Sequence, residues 1–159
     1  MAIPDIGAPA PDFTLPGTVM RAGERHDDAF SLSGQIGRPV VLAFYPSDAS
    51  PVCTSQLCSY EDDLHAFVET GAVVWGISPQ GLDSHAGFAR GSSLHFPLLA
   101  DTEGRVIRDY GIQAPLVGVR RSVFLIGPDG VVRWRHVGLV GVRFPAASTI
   151  RRNIEALVA

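Results

Sequence analysis

The chain has 159 residues, of which 46% are hydrophobic and 18% are charged, and its formal net charge is -3. This length and apolar content support one domain with a sizeable core, so we expect residues 1–159 to form a single domain. The charge balance provides no basic field for nucleic acid or an anionic membrane surface, and neither partner is expected. All 13 basic residues are arginine, which excludes chemistry that needs a lysine amine.

The N-terminal segment and the cysteine count bear on location. Residues 1–5 lack the basic region and long apolar run of a signal peptide, and no stretch approaches the roughly 20 apolar residues of a membrane span. We therefore expect a soluble, cytoplasmic protein. Structural disulfides are rare in that compartment, so we expect the two cysteines, Cys53 and Cys58, to be reactive. Tetrahedral zinc needs about four ligands and the five histidines are scattered, so no metal is expected.

Gly and Pro punctuate the chain, and the segments between them predict the elements in order. Residues 7–17 are proline-rich and alternate Phe13 with Leu15, which predicts an extended arm or short edge strand lying against the sheet rather than within it. Residues 39–45 and 72–78 are apolar, β-branched runs, typical of strands that are buried on both faces of a parallel sheet.

A helix is predicted between these two strands, with Gly71 as its natural stop. The apolar residues at helical spacing that predict it are Leu57, Tyr60, Leu64, Phe67 and Val68. Residues 82–90 and 103–110 predict short helices on either side of residues 96–100.

The C-terminal part predicts a hairpin and a closing helix. Residues 122–126 and 131–137 are strand-like and flank the turn at 127–130. The helix is indicated by Ile150, Ile154, Leu157 and Val158. A βαβ half followed by a hairpin and a helix predicts an α/β domain with a mixed sheet, as in the thioredoxin-like arrangement.

The segment with the most chemical information is 44–60, a loop that leaves a buried strand and opens a helix with Cys53 in its first turn. Free backbone N–H groups and the helix dipole stabilise an anion there, so we expect Cys53 to be a thiolate more readily than free cysteine. Pro46 and Pro51 stiffen the approach, and the Ser50 hydroxyl can donate to the sulfur or to a bound oxygen. This pattern predicts a nucleophile beside preorganised donors.

Pro46, Ser50 and Cys53 fit the signature Pro-x-x-x-Thr/Ser-x-x-Cys, by which the chain resembles the peroxiredoxins. Cys58, five residues after Cys53, is similar to the resolving cysteine of the bacterioferritin comigratory protein branch, also called the Q type. Further stretches similar to that branch extend the likeness over most of the chain, and they are residues 10–16, 96–112 and 121–130.

The resemblance implies a thiol peroxidase on a thioredoxin-like fold, with a mixed central sheet flanked by helices and an N-terminal extension. Cys53 would be the peroxidatic nucleophile and form a sulfenic acid, and Cys58 would resolve it through an intramolecular disulfide. Arg121 corresponds to the family's active-site arginine and would act with Pro46 and Ser50. The resemblance also implies a hydroperoxide substrate, no cofactor, thioredoxin or a similar dithiol as reductant, and a monomer or weak homodimer.

Two residues depart from the family's pattern. Ser50 stands where most relatives carry threonine, a change that keeps the hydroxyl and loses a methyl group. Gln56 stands where the branch commonly places a glutamate that positions the arginine; an amide can accept a hydrogen bond from Arg121 but cannot form an ion pair.

Other interpretations stay open at this stage. Cys58 could be a buried apolar group and Arg121 a surface charge ahead of a strand. A general thiol–disulfide oxidoreductase normally has two residues between its cysteines, whereas Cys53 and Cys58 have four. A redox sensor or interaction domain would undergo the same oxidation but pass it to a partner.

The spacing of the cysteines sets a geometric condition. In an ideal helix the Cα atoms of Cys53 and Cys58 lie about 8.6 Å apart. Disulfide geometry tolerates no more than about 7 Å. If both cysteines lie in one intact helix, a disulfide between them requires the helix to unwind from Cys53 through Cys58.

Overall fold

The computed structural model describes residues 2–116, 118–138 and 143–158 of the chain. Nine strands and five α-helices are assigned within these residues, and a single turn of 3-10 helix follows the second strand. In chain order they are β1 (Thr14–Arg21), β2 (Glu24–Ser31), β3 (Val40–Phe44), α1 (Pro51–Asp62), α2 (Leu64–Glu69), β4 (Val73–Ser78), α3 (Leu82–Gly91), β5 (Leu98–Ala100), α4 (Arg105–Asp109), β6 (Gln113–Ala114), β7 (Gly118–Val119), β8 (Ser122–Ile126), β9 (Val132–Val137) and α5 (Ala147–Val158).

Seven of these strands form one mixed sheet in the order β2-β1-β5-β4-β3-β8-β9. The three central strands, β5, β4 and β3, are parallel, whereas β1 and β8 join them antiparallel. All residues of β3 and β8 are buried, because helices or loops cover both faces of the sheet. The predicted buried strands and the hairpin of β8 and β9 are confirmed.

Two apolar clusters fill the two faces of the sheet, and alternate residues of β3 point into each. Val41 and Ala43 belong to the cluster that is covered by α1, α2, α3 and α5. Leu42 and Phe44 belong to the other cluster, which includes residues of α4 and of the N-terminal segment. This arrangement places α1, the helix that carries both cysteines, directly on the parallel centre of the sheet.

The N-terminal segment is only partly as predicted. Residues 7–10 do lie against the sheet, where Gly7 N donates to Val132 O and Ala10 N donates to Gly130 O. The prediction is wrong from Thr14 onward, because β1 is a strand of the sheet that pairs with β2 on one side and β5 on the other. The β1 to β2 hairpin was not predicted, since β2 is a charged and exposed edge strand without an apolar alternation.

The helical region between β3 and β4 also differs from the single helix predicted. The helix is interrupted at Asp63, which separates α1 from α2. Val68, which was expected on the apolar face, is 58% exposed. The short hairpin of β6 and β7 was not predicted either. The predicted closing helix is present as α5, and Ile150 and Ile154 are fully buried in it. Among the described residues, no helix is both long and apolar enough to cross a membrane.

Gly76 in β4 leaves room for the buried side chains of Leu98 and of Tyr45, the residue that follows β3. A Cβ atom there would lie 2.8 Å from Leu98 Cδ2 and 3.2 Å from Tyr45 Cε1, and both of these side chains are fully buried. Gly76→Ala should therefore lower the free energy of unfolding by about 1 to 3 kcal/mol, the usual result of overpacking.

Urea unfolding followed by circular dichroism measures this effect. Gly87→Ala in α3 is the matched control, because a Cβ atom there meets nothing within 4 Å and alanine favours the helix. Gly87→Ala should leave stability unchanged or raise it by up to about 1 kcal/mol. A Gly76→Ala protein as stable as the unmodified chain would contradict the close packing described here.

Candidate active site

Cys53 lies in the first turn of α1, at the point where the chain leaves the centre of the sheet. Ser50 caps this helix in an extended conformation, Pro51 is its first residue, and the Cys53 side chain is fully buried. Ser50 Oγ accepts a hydrogen bond from Cys53 N at 3.4 Å and donates to Ser47 O at 3.3 Å. The helix start thus places the Cys53 sulfur at the positive end of the helix dipole.

Arg121, the residue before β8, reaches the same sulfur. In the antiparallel pair of β3 and β8, Phe44 lies opposite Ser122, so Arg121 lies beside the loop that follows β3. Its Nη2 donates to Cys53 Sγ at 3.2 Å, and the side chain is almost completely buried. A guanidinium at this distance stabilises a thiolate through a charge-assisted hydrogen bond.

A chain of hydrogen bonds holds Arg121 in place from the opposite side. Arg121 Nη1 donates to Gln56 Oε1 at 2.6 Å, and Gln56 Nε2 donates to Tyr60 Oη at 3.2 Å. Tyr60 Oη in turn donates to Pro145 O at 2.8 Å, ahead of α5. Gln56 and Tyr60 are both fully buried. The amide at position 56 therefore positions the arginine without an ion pair.

The donor and acceptor roles in this series of hydrogen bonds depend on the protonation of Tyr60. Burial, the largest influence, raises the pKa of the Tyr60 phenol, while the Gln56 hydrogen bond and the Arg121 charge act in the opposite direction and do not cancel it. Tyr60 therefore keeps its proton and can donate it to Pro145 O while accepting from Gln56.

Cys58 lies in the same unbroken helix as Cys53, and both cysteines are free thiols. The Cys58 side chain is half-buried, and its Sγ faces Ser92 O at 4.0 Å. Glu61, one turn further on, accepts from His95 N at 2.6 Å and faces His95 Nδ1 at 2.8 Å, which ties this part of α1 to the loop after α3. An ideal helix separates the two cysteine Cα atoms by about 8.6 Å, too far for a disulfide.

A second buried polar group lies in the loop between β3 and α1. Asp48 Oδ1 accepts from Tyr45 Oη at 2.7 Å, and Asp48 Oδ2 accepts from Ser84 Oγ at 2.7 Å. The same Oδ2 lies 2.7 Å from His85 Nδ1, and His85 Nε2 lies 2.9 Å from Leu99 O. We call the side chains of Tyr45, Asp48, Ser84 and His85 the Asp48 cluster.

The backbone of this loop is held as well. Asp48 N donates to Gln80 Oε1 at 3.0 Å, and Gln80 Nε2 donates to Pro46 O at 3.1 Å. Ser78 Oγ also donates to Gln80 Oε1, at 2.7 Å. Neither Gln80 nor the Asp48 cluster was identified from the sequence. The bonds from Gln80, Ser84 and His85 to the loop span more than 30 positions, and no local pattern marks them.

The five residues expected at the site are distributed as follows. Direct hydrogen bonds link Ser50 and Arg121 to Cys53, and Pro46 lies in the loop that Gln80 holds. Cys58 lies on the same helix but faces Ser92 O. Within residues 2–116, 118–138 and 143–158, no three His, Cys, Asp or Glu side chains lie close enough to hold a metal ion.

Comparison with known proteins gives a consistent set of similarities. A model of the AhpC/TSA family matches residues 6–135. The chain is 33% identical over 142 residues to peroxiredoxin Bcp of Bacillus subtilis, covering 84% of this chain and 86% of the Bacillus protein. It is 38% identical over 130 residues to the chloroplastic peroxiredoxin Q of Oryza sativa subsp. japonica, covering 80% of this chain. The chain spans only 57% of the length of that rice relative.

Solved structures show the same fold. The reduced 2-Cys peroxiredoxin of Plasmodium vivax superposes with a TM-score of 0.86 at 26% identity, covering 95% of this chain and 80% of the Plasmodium chain. Peroxiredoxin Q of Xanthomonas campestris superposes with a TM-score of 0.77 at 24% identity, covering 91% and 92% of the two chains. The predicted thioredoxin-like α/β fold is confirmed.

Removal of the Tyr60 hydroxyl tests whether the hydrogen-bond chain sets the environment of Cys53. Tyr60→Phe leaves Gln56 Nε2 and Pro145 O without their partner, and the free energy of unfolding should fall by about 1 to 3 kcal/mol. With Gln56 less fixed, Arg121 is less firmly placed, and alkylation of Cys53 by iodoacetamide at mildly acidic pH should become slower. Mass spectrometry resolves Cys53 from Cys58 in this measurement.

Tyr110→Phe is the matched control, because the buried Tyr110 hydroxyl donates to Pro11 O at 2.8 Å in the apolar cluster on the other face of the sheet. It should cost similar stability and leave the Cys53 alkylation rate unchanged. Equal alkylation rates in Tyr60→Phe and Tyr110→Phe would show that the Tyr60 hydroxyl does not influence the reactivity of Cys53.

Proposed function

We propose that this chain, which belongs to the AhpC/TSA family and within it to the peroxiredoxin Q and Bcp branch, is a thiol peroxidase. Its substrates would be hydrogen peroxide and organic hydroperoxides, and its nucleophile Cys53. One observation carries the proposal: Arg121 Nη2 lies 3.2 Å from Cys53 Sγ, in the first turn of α1. This contact joins a fixed positive charge to a helix N-terminus at a single sulfur, the environment that activates a cysteine.

In the first step, the Cys53 thiolate attacks one oxygen of the hydroperoxide. An S–O bond forms, the O–O bond breaks, and the leaving oxygen takes a proton to become an alcohol or water, which leaves Cys53 as a sulfenic acid. Arg121 and the N–H groups at the start of α1 would stabilise the negative charge that develops on the leaving oxygen. Ser50 would help to hold the peroxide once its hydroxyl rotates away from Ser47 O.

In the second step, Cys58 resolves the sulfenic acid. Its sulfur attacks Cys53 Sγ, an S–S bond forms, and the sulfenic oxygen leaves as water. A dithiol reductant, thioredoxin or a similar protein, would then reduce the disulfide by exchange and regenerate both thiols. No step needs a cofactor.

Other properties follow from the same proposal. Residues 1–159 would act as one peroxiredoxin domain, in the cytoplasm, as a monomer or weak homodimer. Cell fractionation and sedimentation test the last two properties independently of the chemistry.

A coupled assay tests the activity. Purified protein with thioredoxin, thioredoxin reductase and NADPH should consume NADPH catalytically when hydrogen peroxide or an alkyl hydroperoxide is added. Cys53→Ser should abolish this activity. Arg121→Lys keeps the charge but loses the planar fork that can touch sulfur and peroxide together, and the rate of peroxide reduction should fall at least about tenfold.

Two results would contradict the proposal. Full activity of Cys53→Ser would place the chemistry elsewhere, and stoichiometric oxidation without turnover would favour a sensor that passes oxidation to a partner. Full peroxide reduction by Arg121→Lys would remove the arginine from the mechanism.

The proposed disulfide between Cys53 and Cys58 predicts that oxidation changes the structure of α1. Because Cys53 and Cys58 lie in one unbroken helix, oxidation should unwind α1 over this segment and withdraw the buried Leu57 from its packing. The oxidised protein should lose helical signal in circular dichroism and gain protease cleavage near residues 53–60. Cys58→Ser should keep its helix and accumulate sulfenic or sulfinic acid on Cys53 in mass spectra.

Dithiothreitol treatment of the oxidised protein is the internal control, because it should restore both the helical signal and protease resistance. A Cys53 to Cys58 disulfide that forms with no change in either readout would rule out unwinding. Absence of that disulfide after peroxide treatment would remove Cys58 from the resolving role.

A further inference from the structure

The Asp48 cluster is an extensively hydrogen-bonded polar group that the proposed chemistry leaves without a role. The Asp48 side chain is 5% exposed, yet its two oxygens receive three short hydrogen bonds from the end of β3 and from α3. Its backbone N–H makes a fourth bond, to Gln80. Two residues further on is Ser50, the cap of the helix that carries Cys53.

Hydrogen-bond partners surround both ring nitrogens of the fully buried His85. One nitrogen faces the Asp48 carboxylate and the other faces the Leu99 carbonyl. Burial alone would raise the pKa of the Asp48 carboxyl, but the hydrogen bond and charge of His85, with help from Tyr45 and Ser84, lower it. Asp48 and His85 therefore form a buried hydrogen-bonded pair, to which Tyr45 and Ser84 add further donors.

The loop that this pair holds has a strained backbone. Ala49, between Asp48 and Ser50, has a φ of +61°, in the left-handed region that residues with a side chain rarely adopt. Such a conformation persists only where its surroundings fix it. Asp48 fixes the residue before the strained position, and the hydrogen bond of Ser50 Oγ with Cys53 N fixes the residue after it.

We propose that Asp48, held by Ser84 and His85, is a positioning residue that keeps the strained loop in the form that presents Ser50 to the peroxide at Cys53. This inference rests on the proposed peroxidase function. Asp48 acts through the loop and does not touch the reacting atoms. Arg121 and the start of α1 supply the charge that favours the Cys53 thiolate, so loss of Asp48 should impair the reaction with peroxide more than formation of the thiolate.

Two rate constants for Cys53 separate these roles. One is its reaction with hydrogen peroxide, which needs the donors of the loop, and the other is its alkylation by iodoacetamide, which needs only an accessible thiolate. In Asp48→Ala the peroxide rate should fall at least about tenfold while the alkylation rate stays within about twofold. Ser84→Ala, which removes one donor at an exposed position, should lower the peroxide rate about threefold with unchanged alkylation.

Asp101→Asn is the matched control. Asp101 is also a buried carboxylate, but it accepts from Ile107 N of α4 at 2.8 Å and has no bond to the loop before α1. This variant should lower the melting temperature and leave both Cys53 rates unchanged, which separates loss of stability from loss of loop geometry.

The outcomes discriminate as follows. If the unmodified protein does not react with peroxide, the proposed function fails. If the unmodified protein reacts, three results would show that Asp48 is not a positioning residue. Asp48→Ala could react with peroxide as fast as the unmodified protein, or its peroxide and alkylation rates could fall in parallel. It could also lose stability alone, as Asp101→Asn is expected to do. Should Asp48→Ala fail to fold, Ser84→Ala decides, and an unchanged peroxide rate in that variant overturns the proposal.

Discussion

The site depends on the register between β3 and β8. Arg121 and Cys53 are 68 residues apart in the chain, and their 3.2 Å contact exists because Phe44 lies opposite Ser122 in the antiparallel pair. A slip of one residue would turn the side chains of β8 to the opposite face of the sheet. The fully buried residues of both strands resist such a slip, so the apolar core maintains the geometry around the sulfur.

Helix α1 would have to satisfy two opposing requirements in the proposed mechanism. Its intact first turn places Cys53 at the positive end of the helix dipole, whereas a disulfide with Cys58 would need that turn undone. The buried Leu57 opposes unwinding, since exposing such a side chain costs about 1.5 to 3 kcal/mol. Gln56 adds resistance, because its hydrogen bonds to Arg121 and Tyr60 are lost when it moves. The proposed S–S bond would have to offset these losses. The same contacts favour the helical form while the cysteines are reduced.

The strands that are continuous apolar runs were predictable from the sequence, whereas the edge strand β2 and its partner β1 were not. β3, β4 and β8 are buried on both faces, so their composition marks them. The exposed edge strand β2 carries charges that resemble a loop, and its partner β1 contains Pro16, which suggested an arm. At the site, Cys53 was marked by a local motif, but Arg121 only by family resemblance, and the Asp48 cluster by neither.

Gln56 shows why the identity of a residue predicts less than its place in the fold. Its amide raised the question of how Arg121 would be held, and the structure answers it with a 2.6 Å hydrogen bond and a second bond to Tyr60. A carboxylate at this position would hold the same guanidinium, but it would also place a negative charge near the Cys53 sulfur. Since like charges disfavour ionisation, the amide positions the arginine while adding no repulsion to the thiolate.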